Sequence, residues 1–416
     1  MGEYDIILYT LFPTDNVYSS VSLSMAKEFA KNNRVFYINK PYSVKDFVLN
    51  VNNKKVRERA PKLLTNRIQY ETLEKIPNNF VAATPTLSLP INWLPAGKTY
   101  DYLHNYNRHV VLKTVEKCIR DYSIKKFIYL NCYNPYGAAV LPKSFGATLN
   151  VYQSIDDIAE NDYTRKHGLK LENEAVREAD VTLVTSQELW NLKSQVSKDT
   201  YIMNNAVDNS VFRRTMSETF PQPEELANRT GKVVGFIGNL DELRVNYPLI
   251  RKAALAHPDK TFLLVGPLNN TEYLELGLPD LPNVIFTGGK NLYELPQYLQ
   301  YMDCCLIPFL CNTLTRSIYP LKINEYLTAG KPVISTNFSV DIRSFRDHIY
   351  LADDEETFVK LIDTALLPQP AGIVQNRIAL AESNTWTARI AQFWKILDPY
   401  LRAKAENQVA GMDNLR

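Results

Sequence analysis

Residues 283–336 read NVIFTGGKNLYELPQYLQYMDCCLIPFLCNTLTRSIYPLKINEYLTAGKPVIST. Short apolar runs at 284–286, 304–307 and 333–335 are bracketed by Gly, Pro, Asn and Asp, and their β-branched content favours strands. Helical patterns at 292–301 and 320–329 separate them. Strands alternating with helices of this length indicate βαβ units and a parallel sheet. Gly288 and Gly289 end the first strand in a turn whose backbone a flat ligand can approach closely. Pro320 suits the first turn of the last helix, where its missing N–H costs nothing. Ala329-Gly330-Lys331-Pro332 ends that helix with a C-cap glycine and launches the next strand.

The same alternation extends outward in both directions. Strand patterns at 233–237 and 262–265 precede the stretch, and helical patterns at 249–256 and 357–367 flank it. The first half offers strands at 6–10, 35–38, 80–83, 127–130, 148–152 and 181–184, with amphipathic stretches at 20–31 and 110–121 between them. The fold class is therefore α/β, with two doubly wound Rossmann-like domains. A chain of 416 residues is long enough for two cores. The polar run 215–231, with Pro221 and Pro223, reads as a linker between a first domain at 1–214 and a second at 232–380. Residues 381–416 form a closing helical segment. In doubly wound sheets ligands collect beyond the carboxyl ends of the strands, so a cleft between the two domains is the expected site.

Composition narrows the function classes. A formal net charge of +2 gives no global field for nucleic acid. No apolar run approaches the roughly 18 to 20 residues that span a bilayer. The opening Met1-Gly2-Glu3-Tyr4-Asp5 is acidic where a signal peptide is basic, which points to the cytoplasm. Five cysteines (Cys118, Cys132, Cys304, Cys305, Cys311) form no Cys-x-x-Cys pair and read as buried, reduced thiols. Five scattered histidines show no metal-binding spacing, so no metal site is expected.

The helix after Pro320 carries the chemistry. Its N-terminus offers unpaired N–H groups and partial positive charge, a seat for phosphate. Lys322 in the first turn adds a formal charge for a diphosphate. Glu325, three residues on, shares its face and can accept two hydrogen bonds from the vicinal diol of a ribose. The competing reading is a solvent-exposed ion pair between the two, worth a few tenths of a kcal/mol.

PLKINEYLTAGKPVIST resembles the donor-binding helix of GT-B glycosyltransferases of the family 4-like group, in the manner of bacterial teichuronic-acid-type and xanthan-type glucuronosyltransferases. Val234-Gly235-Phe236-Ile237-Gly238-Asn239-Leu240, Leu264-Val265-Gly266-Pro267 and Gly288-Gly289-Lys290 are similar to that family's successive strand ends, the last being its turn against the base. Glu174-Ala175, Ala179-Asp180, Thr185-Ser186 and Asn204-Asn205-Ala206-Val207-Asp208 resemble the progression that closes its first domain. Trp386 and Arg389 stand where such enzymes send a helix back to that domain.

The resemblance implies a nucleoside-diphosphate sugar as co-substrate, uridine as the base and no cofactor. Lys322 would meet the phosphates and Glu325 the ribose. Gly238, Asn239, Arg244, Gly288, Gly289, Lys290, Asn312, Thr315 and Ser317 complete the expected donor site. The sequence departs from the family at Ser317, where a glutamate usually stands eight residues before the ribose carboxylate, and at Ala206 in place of a glycine. The basic pair after the first strand of the second domain is reduced to Arg244, with Asn246 nearby.

An inverting transferase needs a base for the acceptor hydroxyl. Asp156 and Asp157, just past a strand's carboxyl end, are the candidates, and Asp156 better matches an aspartate that follows the Val-Tyr strand in the resembled families. Helix capping is the alternative for either. Asp15 and Asn16 after the first strand, and Tyr102 and Asn105 in the aromatic run 100–108, are the candidates for a glycan or lipid-linked acceptor. Residues 40–67 interleave Lys45, Lys54, Lys55, Arg57, Arg59, Lys62 and Arg67 with Phe47, Val48, Leu49, Leu63 and Leu64. This pattern suits either an anionic membrane surface, at the inner face of the plasma membrane, or a solvated helix pair. Two other functions fit the architecture: a catalytically silent nucleotide- or glycan-binding partner, and a sugar-nucleotide epimerase.

Overall fold

The computed structural model describes residues 2–14, 20–65, 67–73, 76, 79–160, 162–227 and 229–413, which fall into two compact units. The first comprises the chain to Thr185, Leu189–Met203 and the residues from Ile390 on; the second comprises Ser186–Glu188 and Asn204–Arg389.

The first unit is built on β1 (Asp5–Thr10), β2 (Val35–Ile38), β3 (Gln69–Glu71), β4 (Phe80–Thr84), β5 (Phe127–Cys132), β6 (Leu149–Ser154), β7 (Val181–Val184) and β8 (Thr200–Ile202). They form one sheet in the order β3-β4-β2-β1-β5-β6-β7-β8. Only the β3–β4 pair is antiparallel. β1, β2, β5 and β7 are almost wholly buried, because helices cover both faces of a doubly wound sheet and its strands become continuous apolar runs. Ile7, Phe36 and Tyr129 pack on Val111 and Val115 of the helix Lys98–Asp121. That helix begins well before the expected 110. In the closing helix Trp386–Asp413, Phe393 meets Phe29 edge-on at 5.0 Å, and Trp394 lies 6.2 Å from Tyr4.

The second unit carries β9 (Val233–Ile237), β10 (Thr261–Val265), β11 (Val284–Phe286), β12 (Cys304–Ile307), β13 (Val333–Thr336) and β14 (Tyr350–Ala352), ordered β11-β10-β9-β12-β13-β14 and parallel throughout. The order reverses between β9 and β12, where Val234 stands beside Cys304. Such a reversal opens a crevice at the carboxyl ends of the two strands.

Two expectations are corrected. The run 215–231 is not a free linker but a folded part of the second unit, which begins at Asn204. Val211, Phe212 and Leu226 enter its core. The polar backbone of this run is bound by the helix Leu295–Gln300 and its flank. Gln300 donates to the carbonyls of Thr215 and Glu218, Gln297 to that of Pro221, and Tyr301 to that of Phe220. Cys311, expected inside, is exposed, whereas the other four thiols are buried.

Candidate functional site

The helix Leu321–Thr328 packs behind the carboxyl end of β9, and Tyr326 fixes its position. The Tyr326 hydroxyl accepts from the Ile237 N–H at 2.8 Å and lies 3.3 Å from the Ile237 carbonyl, to which it donates. Lys322 is one helical turn earlier on the same face, so the clamp carries its side chain across the strand end. The ammonium there lies 5.6 Å from the ring centre of Phe236 and 5.7 Å from that of Phe309. A Cβ on Gly238 would overlap Lys322 Cε and stand 2.6 Å from Nζ. Gly266, at the end of β10, lies against the Gly238 carbonyl so closely that its own Cβ would overlap that oxygen. Two glycines in adjacent strands therefore make the channel through which Lys322 reaches the crevice.

Pro320 is the N-cap of this helix rather than its first residue, and no side chain caps the N-terminus. At the other end the Gly330 N–H bonds the Leu327 carbonyl and the Lys331 N–H that of Tyr326, with Gly330 in the left-handed region at φ +66°. Lys322 and Glu325 are both partly buried and act on each other electrostatically, yet no ion pair joins them. Neither makes a hydrogen bond to another described residue. The surface ion-pair reading thus fails.

Burial draws the Lys322 ammonium below the usual lysine range, and Arg244 nearby adds to this. Burial raises the Glu325 carboxyl to about 7, against the opposing pull of Lys322. Arg244 is held 3.3 Å from Asp241, and its Nε is buried without a partner. Two cations and a carboxylate with unspent hydrogen-bonding capacity thus converge at the β9–β12 reversal. Asn239 and Gly289 are exposed beside it, and Gly288 accepts from the Gly266 N–H at 3.0 Å.

Other expected donor ligands are engaged elsewhere. Asn312 and Thr315 form a reciprocal capping box at the helix Thr313–Arg316, and Thr315 also donates to the Leu310 carbonyl. Ser317 is fully buried and donates to the Leu314 carbonyl at 2.7 Å. These three side chains build the loop. Lys290 is paired with Glu225 at 3.1 Å and sits over the Tyr298 ring.

In the first unit the aspartate pair divides its work. Asp157 Oδ1 accepts from the Ala159 N–H at 3.0 Å and shapes the following turn. Asp156 accepts only from the Tyr133 hydroxyl, at 3.1 Å among the described hydrogen bonds, and Thr185 bonds the Ile155 carbonyl just before it. Tyr133 and Tyr326 both escape a sequence reading, since each partner is distant in the chain. Asp15 and Asn16 lie outside the described residues. Tyr102 and Asn105 are exposed and are not among the residues lining the cavity of about 460 Å³ in this unit, which Tyr100, His104 and Asn107, from another face of their helix, do line. Arg59, expected at a membrane, is buried in a two-pronged bond to Glu71. Among the described residues, no group of three or more His, Cys, Asp or Glu is placed to hold a metal ion, and no helix is long and apolar enough to cross a membrane.

The two-unit architecture is that of the GT-B class. Sucrose-phosphate synthase from Thermosynechococcus elongatus superposes with a TM-score of 0.66, covering 96% of this chain and all of that one at 16% identity. HepE of Anabaena in complex with UDP superposes at 0.61, over 95% of this chain and all of that one, also at 16% identity. Within that architecture, residues 231–367 match the family Glycosyl transferases group 1. The chain is also 34% identical over 151 residues to TuaH of Bacillus subtilis, named as a teichuronic acid biosynthesis glycosyltransferase; the match spans 36% of this chain and 37% of that protein.

Proposed function

We propose that this chain is a glycosyltransferase that moves a sugar from a nucleoside-diphosphate sugar, with uridine as the base, to a glycan or lipid-linked glycan. The observation that carries the reading is Lys322 drawn across Gly238 beside an unpaired Glu325. Lys322 and Arg244 supply the charge a diphosphate requires, and the uncapped helix start adds oriented N–H groups. Ionised Glu325 accepts the two ribose hydroxyls. UDP is the nucleotide held by HepE, which has the same fold. In the first unit, Asp156 takes the proton of the acceptor hydroxyl.

UDP at millimolar concentration is expected to raise the melting temperature, since ligand at about 100 times its Kd stabilises by about 2.7 kcal/mol. Mass spectrometry of slow hydrolysis across a panel of nucleotide sugars would then identify the donor. If UDP, GDP and ADP all leave the melting temperature unchanged, the reading falls. A second reading, nucleotide binding without turnover, draws on Ser317, whose buried hydroxyl offers no carboxylate to a donor sugar. Hydrolysis or transfer of any nucleotide sugar by the wild-type chain separates the two, and unchanged transfer in Asp156→Asn would dismiss Asp156 as the base.

A peripheral membrane contact belongs to the same proposal. The helices Val44–Leu49 and Lys54–Leu64 leave Val48, Leu49 and Leu64 at 62%, 69% and 66% exposure among exposed Lys45, Lys54, Arg57 and Lys62.

A further inference from the structure

We infer that Asn312 is a positioning residue that fixes the direction in which Arg244 enters the crevice at the β9–β12 reversal. That Arg244 there meets a diphosphate rests on the transferase reading; the hold of Asn312 on Arg244 does not.

The loops leaving β9 and β12 are zipped together beyond the strand ends. The Asn246 N–H donates to the Pro308 carbonyl and the Leu310 N–H to the Arg244 carbonyl, both at 2.8 Å. Between these bonds Val245 and Phe309, both buried, stand opposite each other in an antiparallel bridge. Thr336 donates to the Phe309 carbonyl at 2.7 Å and ties the ladder to the end of β13. The trailing half of the Arg244 loop is therefore anchored in the core. Its leading half is a tight turn built on Asp241. The Asp241 carbonyl accepts from the N–H groups of Arg244 and Val245, its carboxylate accepts from the Leu243 N–H at 2.9 Å, and the same carboxylate holds the Arg244 guanidinium. Glu242 and Leu243, at the corner of the turn, are exposed, so apolar packing does not hold it.

Asn312 fastens that corner from outside. Its amide donates to the Leu243 carbonyl at 3.0 Å, immediately before Arg244. The amide can face only one way, because its oxygen accepts from the Thr315 N–H at 2.8 Å as the N-cap of the helix Thr313–Arg316. The return bond from the Asn312 N–H to the Thr315 hydroxyl, at 3.2 Å, locks its backbone. One residue thus spends its oxygen on the helix and its amide N–H on the turn. What the turn presents is a guanidinium whose Nε is buried without a partner. A buried donor left so is costly unless a ligand takes it, which makes its direction matter. The Asn312–Leu243 bond itself lies at the surface, where exchange with water leaves little net gain. Its loss should free Arg244 without unfolding the unit.

Asn312→Ser tests this, since serine keeps a neutral cap for the helix but has no amide N–H for Leu243. In the isotope-labelled full chain, the Arg244 Nε–H resonance is assigned by its loss in Arg244→Lys. It should exchange with water about tenfold faster in Asn312→Ser, with the melting temperature nearly unchanged. The Kd of UDP by calorimetry should rise about tenfold in Asn312→Ser, but not further when that change is added to Arg244→Gln, because the two residues act as one unit. Unchanged exchange, unchanged affinity in a chain that binds UDP, or an equal loss in the Arg244→Gln background would overturn the assignment. Faster exchange in a chain that binds none of UDP, GDP and ADP would instead sink the transferase reading and leave the hold on Arg244 standing. Should Asn312→Ser fail to fold, Asn312→Asp, which also caps the helix and lacks the donor, carries the exchange comparison.

Discussion

A methyl group added at position 238 would occupy the path of the Lys322 side chain. The obstructed atoms are the far end of a flexible chain and can move aside, but Gly238 lies at φ +156°, so the side chain added in Gly238→Ala also strains the backbone and should lower the unliganded melting temperature. Hydrogen bonds to charged groups contribute about 1.5–3 kcal/mol, so UDP affinity by calorimetry should fall about 10- to 100-fold. Wild-type affinity in that variant would exclude Lys322 as a phosphate ligand. Glu325 gives a pH prediction. Its carboxyl is raised from 4.5 to about 7 in the folded chain, so the native state holds the proton more tightly than the unfolded state. Its contribution to stability is therefore complete below pH 4.5 and lost as pH rises to about 7. A ribose diol requires the ionised form, so UDP should bind about tenfold more tightly at pH 8 than at pH 6. The phosphate of UDP titrates near the lower end of this range in any variant; Glu325→Gln should show only that smaller dependence. The Lys322–Glu325 pair was legible because helical spacing is a local property. The channel of Gly238 and Gly266 and the Tyr326 clamp were not, since they depend on which strand end meets which helix. The intramolecular roles of Asn312, Thr315 and Ser317 were not legible, because a polar loop residue looks alike whether it caps a helix or meets a ligand.

Among the elements, every interior strand is legible in the sequence, while of the four edge strands only β11 is. β3, β8 and β14 escaped the sequence reading; each is three residues long and stands at the end of its sheet. An edge strand is covered less fully, so it needs no unbroken apolar run. The helices Val44–Leu49 and Lys54–Leu64 show the opposite case, a pair whose apolar residues exceed what its small core uses. Phe47, Val56 and Leu63 are buried together, while Val48, Leu49 and Leu64 remain outside. Basic residues near an anionic leaflet contribute about 1 kcal/mol each. The chain should therefore sediment with phosphatidylglycerol vesicles at low salt, and not with phosphatidylcholine vesicles. Val48→Asp with Leu49→Asp should release it without altering the UDP melting shift. Sedimentation that is indifferent to lipid charge and to this double substitution would refute the contact.

For the whole molecule, counting alternating strands and helices was enough to read two doubly wound sheets, because that periodicity is written residue by residue. The boundary between the units was not. Proline and polar content in 215–231 resemble a tether, but its carbonyls are bound by Gln297, Gln300 and Tyr301, and Val211, Phe212 and Leu226 are set in the core of the second unit. The segment upstream of Val233 is thus part of what it was expected merely to connect. Recombination, in nature or at the bench, would therefore find its seams at 203/204 and 389/390, outside the 231–367 limits of the family match. A second unit exchanged between related chains has to travel with its leading segment, or arrive with its own sockets empty.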